Sequence, residues 1–224
     1  MAEQYLQIDA ADKYSLTGRV FHKIREDILA GIYKENDELR ENTIAKVLGV
    51  SRTPVREALR QLELEGLVTI IPNKGAYVTG ITSKDIRDIY VIRSYLEGLC
   101  AKWACENITN AQIEALEEVL YLSDFHARRS HMKQLVELDN KFHELIYKAS
   151  GSKILEHVLS DFHHYVERVR KITLSMPSRA SKSSAEHAAI LDAIKQKNGE
   201  LAEALAHEHI MNTIQNISEQ GLCK

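Results

Sequence analysis

The segment Leu48 to Val68, LGVSRTPVREALRQLELEGLV, leaves few folds open to this chain. Gly49 permits a tight reversal. Ser51 is a residue type that caps helix N-termini by accepting from the first free N–H groups. Pro54 falls in the first turn of the helix that follows, where its missing N–H costs little. Val55, Leu59, Leu62 and Leu67 recur at helical spacing and predict a buried face, and Gly66 marks the stop. On another face Arg52, Arg56 and Arg60 stand four residues apart. Three guanidiniums at the leading end of a helix suit the DNA major groove, because the arginine fork matches guanine O6 and N7 as well as phosphate oxygens. Alone, such a stripe is more often a solvated face, so its neighbours decide.

Those neighbours complete a module. Leu16 to Gly31 predicts a first helix with Val20, Ile24, Ile28 and Leu29 as its apolar stripe. The polar turn KENDE follows, and Leu39 to Leu48 predicts a short second helix with Ile44, Ala45 and Leu48 facing inward. A helix, a turn through Gly49 and a basic helix make a helix-turn-helix. Leu67 to Ile71 is a β-branched run, PNKG turns, and Ala76 to Thr79 is extended again, which predicts a two-stranded wing. Asn73, Lys74 and Gly75 at its tip are placed to reach a phosphate or the minor groove.

The residues GVSRTPVREAL, EGLV and PNKGAYV together resemble the winged-helix domain of GntR-type bacterial transcription regulators, over about Leu16 to Val78. The resemblance implies that SRTPVRE enters the major groove of double-stranded operator DNA. Ser51, Arg52, Thr53 and Arg56 would be the contacts there, and Lys74 and Gly75 those of the wing. Asn42 stands where some members carry an arginine, and Asn36-Asp37 where Pro-Gly is common.

Net charge over the 224 residues is −3, so the chain as a whole is no polycation. From Lys46 to Leu62, four basic residues face one acid, and any DNA contact must be this local patch. Only 10 glycines and 3 prolines punctuate the chain, which predicts mostly helix. No apolar run approaches the roughly 18 residues that span a bilayer. The first residues lack the pattern of a signal peptide. Cys100, Cys105 and Cys223 have no framework spacing, which fits reduced thiols in a cytoplasmic protein.

From Ser83 onward no strand pattern occurs. Six helical segments are predicted: Ser83 to Asn107, Thr109 to about Ser130, Met132 to Ser150, Ser152 to about Leu174, about Ala180 to Lys197, and Gly199 to about Gln220. Thr109 and Gln112 form a capping-box pattern, and Gly151 stops the third segment. The fold class is therefore mainly α: a winged helix-turn-helix followed by an all-α antiparallel helical bundle. The expected organisation is a tail (1–15), the DNA-binding domain (16–79), a short linker (80–82), and an effector-binding and dimerisation domain (83–224).

Asp139 and His143 lie one helical turn apart and point to the same side. With His187 and His209 on later helices they could hold Zn²⁺ or another first-row divalent ion. Scattered histidines satisfied in a core would give the same pattern, and spacing alone does not separate the two. The segments DNKFHELIYKASGSKIL and EHAAILDAIKQKNGELAEALAHEHI resemble the FCD effector domain that accompanies this type of DNA-binding domain, with six helices pointing to its VanR-like rather than FadR-like branch. That resemblance implies a metal held by Asp139, His143, His187 and His209, with zinc expected first and nickel, manganese or another first-row metal as alternatives. Arg93 and Glu97 match the family's R-x-x-x-E pair. Arg93 is either the anchor of an effector carboxylate or the partner of Glu97 in an i, i+4 salt bridge. His163, His164, Tyr165, Arg168 and Arg170 form a polar stretch on the fourth bundle helix, one face of which could line a cavity.

The function expected is a metabolite-responsive regulator, a repressor released by a small carboxylate, hydroxy-acid or sugar-acid effector. It would act as a homodimer on a pseudo-palindromic operator, without a membrane and without enzymatic activity. The rivals are a metal-dependent hydrolase-like enzyme and a regulator whose metal is purely structural.

Overall fold

The computed structural model describes residues 15–174 and 177–219. Cys223 and most of the expected tail lie outside the described residues, as do the side chains of His163, His164 and Arg168. The chain forms two compact units that divide between Thr82 and Ser83.

The first unit contains helices α1 (Leu16–Leu29), α2 (Glu41–Leu48) and α3 (Arg52–Leu64), and strands β1 (Glu38–Leu39), β2 (Val68–Ile71) and β3 (Gly75–Val78). Ser15 caps α1, its side chain accepting from Gly18 N at 3.2 Å. Val20 and Ile24 of α1 meet Val55, Ala58 and Leu62 of α3 in a core with essentially no solvent exposure. The strands form an antiparallel sheet in the order β1-β3-β2, with Ile71 opposite Gly75 at the wing tip. Lys74 N donates to Ile71 O at 3.0 Å to close that turn, and Asn73 takes a φ of 62°, which asparagine tolerates better than most residues.

Two local expectations are corrected. Leu39 belongs to β1, not to the second helix: Glu38 pairs with Tyr77 and Leu39 with Ala76. Two residues are too few to show an alternating pattern, and their partner is nearly forty positions away in sequence. Ser51 occupies the N-cap of α3 but its side chain makes no capping hydrogen bond. The position that an N-cap oxygen commonly serves is N3, and here N3 is Pro54, which has no N–H. Serine and proline are each a helix-start signal, but at this spacing the proline removes the donor the serine would serve.

The second unit comprises six helices among the described residues: α4 (Ser83–Asn107), α5 (Asn110–Ala127), α6 (Met132–Ala149), α7 (Lys153–Leu174), α8 (Pro177–Lys195) and α9 (Gly199–Glu219). The Thr109–Gln112 capping box forms in both directions. Helix α8 starts three residues before the expected Ala180, with Pro177 at its first position, where proline's fixed φ suits a helix. Helix α4 packs most extensively along α9. Their closeness depends on Gly98, where a Cβ would sit 3.0 Å from the Glu203 carbonyl oxygen. Leu116, Phe142, Leu159 and Ile194 fill the core of the bundle. Cys100 is buried in it, and burial pushes its thiol up to about 12, so it stays protonated and inert.

Candidate nucleic-acid interface and metal centre

Helix α3 is two-faced. Val55, Ala58, Leu59 and Leu62 are buried, while Ser51, Arg52, Thr53, Arg56 and Arg60 are exposed. Lys74 and Gly75 are exposed at the wing tip. A groove of about 640 Å³ runs between α2, α3 and the wing, bordered by Arg40, Asn42, Arg52, Arg56, Arg60 and Gly75. It therefore collects four guanidiniums and two carboxylates: Glu38, which pairs with Arg40 at 2.8 Å, and Glu41, which reaches α3. Glu41 Oε1 accepts from Arg56 Nε and its Oε2 from Arg56 Nη2, both at 2.8 Å, and Oε2 also accepts from Arg52 Nη2 at 3.0 Å. The Arg56 hydrogen bonds, with Arg52 assisting against partial burial, bring the Glu41 carboxyl down to about 2.

In the second unit, His143 of α6, His187 of α8 and His209 of α9 are all buried, and one ring nitrogen of each lies within 4.8 Å of the others. Carboxylates orient two of these rings. His143 Nδ1 is 2.6 Å from Glu97 Oε2, and His209 Nδ1 is 2.7 Å from Glu186 Oε2. An ionised carboxylate only accepts, so each Nδ1 carries the proton and each Nε2 turns a lone pair inward. Glu97 is held in turn by Arg93, and Glu186 by Arg179 Nη1 at 2.8 Å and Asn212 Nδ2 at 2.9 Å. Phe142 stacks on the His187 ring, with centroids 4.0 Å apart. Burial holds His143 below its ordinary pKa against the pull of Glu97. Burial, joined by His209, holds His187 well below.

These residues fit a divalent cation. His143 Nε2 is buried and has no hydrogen-bond partner among the described residues, a costly arrangement for a polar atom with nothing to bind. A void of about 20 Å³ borders Asp139, His143, Ser183 and His209, room for a single small ion or water. Imidazoles whose second nitrogen is fixed by a carboxylate, as in His143 and His209, belong to the donor set that zinc and its neighbours prefer. His187 Nε2 lies 3.2 Å from His209 Nε2, within hydrogen-bond distance.

Asp139 stands slightly apart from the three rings. Its Oδ2 lies 3.8 Å from His143 Nε2 and its Oδ1 lies 3.8 Å from His187 Nε2. Its short contact is with Arg170, whose Nε is 2.6 Å from Oδ2. Burial would raise the Asp139 carboxyl, but Arg170 and then the three histidines more than offset it and hold it below the usual range. Arg93, His143 and Arg170 also border a second, larger cavity of about 340 Å³, whose wall includes Asn140, Tyr147 and Lys148. That volume is in the range of small-molecule sites. Arg93 itself is 2% exposed and engaged by Glu97, so the salt bridge exists and the guanidinium also lines the cavity.

Residues 16–78 match the bacterial regulatory proteins of the gntR family, and residues 88–212 match the FCD domain. The chain belongs to the GntR family of transcription regulators and carries an FCD domain. This GntR regulator is 29% identical to the uncharacterised HTH-type transcriptional regulator YdhC of Bacillus subtilis, over 96% of this chain and 97% of that protein. It is 28% identical to the gluconate operon transcriptional repressor of the same organism, over 95% of this chain and 91% of that one. Among solved structures, Escherichia coli McbR/YncC has the same fold, with a TM-score of 0.71 at 24% identity, covering 92% of this chain and 99% of that one. The family and these relatives are DNA-binding transcriptional regulators, not enzymes. Among the described residues no helix is long and apolar enough to cross a membrane.

Sequence reasoning missed four residues of this GntR regulator's candidate sites. Glu41 and Glu186 each hold candidate side chains from another helix. Arg170 was seen only as part of a polar stretch, and Arg179 not at all. Of these, Glu186 carried a usable signal: it directly precedes His187 and faces His209 once α8 and α9 pair.

Proposed function

We propose that this GntR regulator is a repressor whose grip on operator DNA is released by a small carboxylate bound beside a metal in the FCD bundle. The observation that carries the reading is the adjacency of the two cavities. The void beside Asp139, His143 and His209 and the cavity of about 340 Å³ share Arg93, His143 and Arg170 as walls. A bound divalent cation would supply positive charge and open coordination positions that an oxygen ligand can take. His143, His187 and His209 would hold it, with Asp139 as the fourth ligand. Arg170 and Arg93 face the larger cavity, where a guanidinium edge suits a carboxylate. Lys148, paired with Glu144, also stands at its wall, and Tyr147 adds a hydroxyl. A hydroxy acid or sugar acid fits this mixture of cations and hydrogen-bonding groups, and the name of the gluconate operon repressor agrees with both repression and sugar-acid metabolism.

At the other end, Ser51, Arg52, Thr53 and Arg56 would meet base edges and phosphates in the major groove, with Lys74 and Gly75 on the adjacent backbone. Two copies would pair to present two such helices. Ile92, Tyr95 and Trp103, exposed apolar residues at helical spacing on one face of α4, offer a surface for the second copy.

The test combines metal analysis of the purified chain, a thermal-shift screen of small carboxylates with and without Zn²⁺, and titration of promoter DNA followed by fluorescence anisotropy. About one metal per chain, a carboxylate that raises Tm only with metal present, and release of DNA by that compound are expected. Arg52→Ala should weaken promoter binding by about 1–3 kcal/mol. Metal-independent carboxylate binding would overturn the metal's part in effector capture. Unfolding of the bundle on chelation, with no compound altering DNA affinity, would leave the metal purely structural. Against the hydrolase reading, the two glutamates that touch the histidine rings, Glu97 and Glu186, are already engaged by arginine and histidine.

A further inference from the structure

Glu41 is an acid placed where phosphates are expected to come. It lies in the groove lined by Arg40, Arg52, Arg56 and Arg60, at the start of α2; the groove's other acid, Glu38, pairs with Arg40, whereas Glu41 bridges two arginines of α3. An acid there opposes DNA electrostatically, so its presence calls for a compensating role. The geometry supplies one. Glu41 takes the Nε and Nη2 edge of Arg56 at 2.8 Å for both bonds, and the same edge of Arg52 at 3.3 and 3.0 Å. A guanidinium has two usable forks, and occupying the Nε side leaves the Nη1–Nη2 end to point outward. A long side chain that is roughly half exposed would otherwise sample many rotamers. Here one carboxylate fixes two such chains at once, with Arg52 and Arg56 only 58% and 48% exposed.

We infer that Glu41 is a positioning residue for sequence reading: it aligns Arg52 and Arg56 so that their free ends meet base edges rather than the nearest phosphate. This rests on the proposal that those arginines contact DNA. Glu41 thereby trades general affinity for discrimination. Without it, the two arginines gain freedom to seek phosphates, which raises non-specific binding and lowers specific binding. A residue that only supported the fold would move both affinities in the same direction.

The test uses the full chain and Glu41→Gln, which keeps the shape and removes the charge. The probes are a duplex that the wild-type chain selects from a randomised pool, and a mixed-sequence duplex. Both are titrated by fluorescence anisotropy at several salt concentrations. E41Q is expected to lose roughly tenfold or more in specific affinity, the scale of one misaligned bidentate contact. It should gain severalfold on mixed-sequence DNA, with a steeper salt dependence there. Glu41→Asp keeps the charge but withdraws it by one methylene. It should lose discrimination without the non-specific gain, and it serves if E41Q folds poorly. A parallel loss on both duplexes overturns the proposal and leaves Glu41 a fold contact. A parallel gain overturns it too, as simple repulsion of phosphate. Arg56→Ala is measured alongside. If it binds both duplexes as wild type does, the DNA-contact reading fails and takes the proposal with it, an outcome distinct from E41Q failing while R56A is deficient.

Discussion

Replacing Arg170 with Met should destabilise the metal-free protein far more than the metal-loaded one. Arg170 Nε lies 2.6 Å from Asp139 Oδ2, and the two side chains are only 7% and 10% exposed. Methionine fills most of the volume but removes the charge. The Asp139 carboxylate is then left with Ser183 Oγ at 3.4 Å and two imidazoles at 3.8 Å, of which His143 and His187 are held neutral. Removing one partner of a buried ion pair costs about 3–5 kcal/mol, because the remaining charge is neither solvated nor paired. For a domain of this size each kcal/mol moves Tm by about 2–4 °C, so a fall of roughly 6–20 °C is expected after dialysis against a chelator. With Zn²⁺ in excess Asp139 has a cation to face again, and most of that loss should be recovered. The assay is differential scanning calorimetry of wild type and Arg170→Met, each chelated and zinc-loaded, following the transition that responds to zinc. An equal fall in Tm in both conditions would refute the reasoning. It would mean that Asp139 depends on Arg170 alone and does not turn toward the histidine site.

Glu97→Gln removes the carboxylate that fixes the His143 tautomer, and metal affinity by competition with a chromophoric chelator should fall about 10–100-fold. An unchanged affinity would remove Glu97 from the orienting role. Gly98→Ala places a Cβ 3.0 Å from the Glu203 carbonyl oxygen, against backbone that cannot easily give, and should cost about 1–3 kcal/mol in urea unfolding. Comparing wild type with Glu41→Gln across pH tests the clamp on α3. The Glu41 carboxyl is depressed from 4.5 to about 2, so its contribution to stability is present above 4.5 and lost as pH falls through 2. With both arginines about half exposed and screened by solvent, the difference should be about 1 kcal/mol at neutral pH and should vanish toward pH 2. A difference constant across that window would show that the ion pair is not its source.

The DNA-binding unit was almost wholly legible because its determinants are local. Gly49, Pro54 and Gly66 punctuate α3, and the PNKG turn sets the wing, each within a few residues of the element it shapes. What escaped there was non-local: β1, whose partner strand is distant, and Glu41, which reaches Arg52 and Arg56 from the preceding helix. In the bundle the six helices followed from periodicity and caps. Asp139 and His143 were visible as one turn of α6, but no spacing could say that Arg170 of α7 would hold Asp139.

The residue order alone determined a winged helix-turn-helix followed by six helices, an exposed arginine face on α3, and four candidate ligands. Helical and turn preferences are local, and local preferences can be read along the chain. Only the tertiary structure decided that the histidines of α6, α8 and α9 converge, that Glu97 and Glu186 orient the rings of His143 and His209, and that Arg170 stands between a void of about 20 Å³ and a cavity of about 340 Å³. These depend on how helices pack, set by close approaches such as that of Gly98 to Glu203. Such contacts join residues far apart in sequence, and no period in the sequence records them.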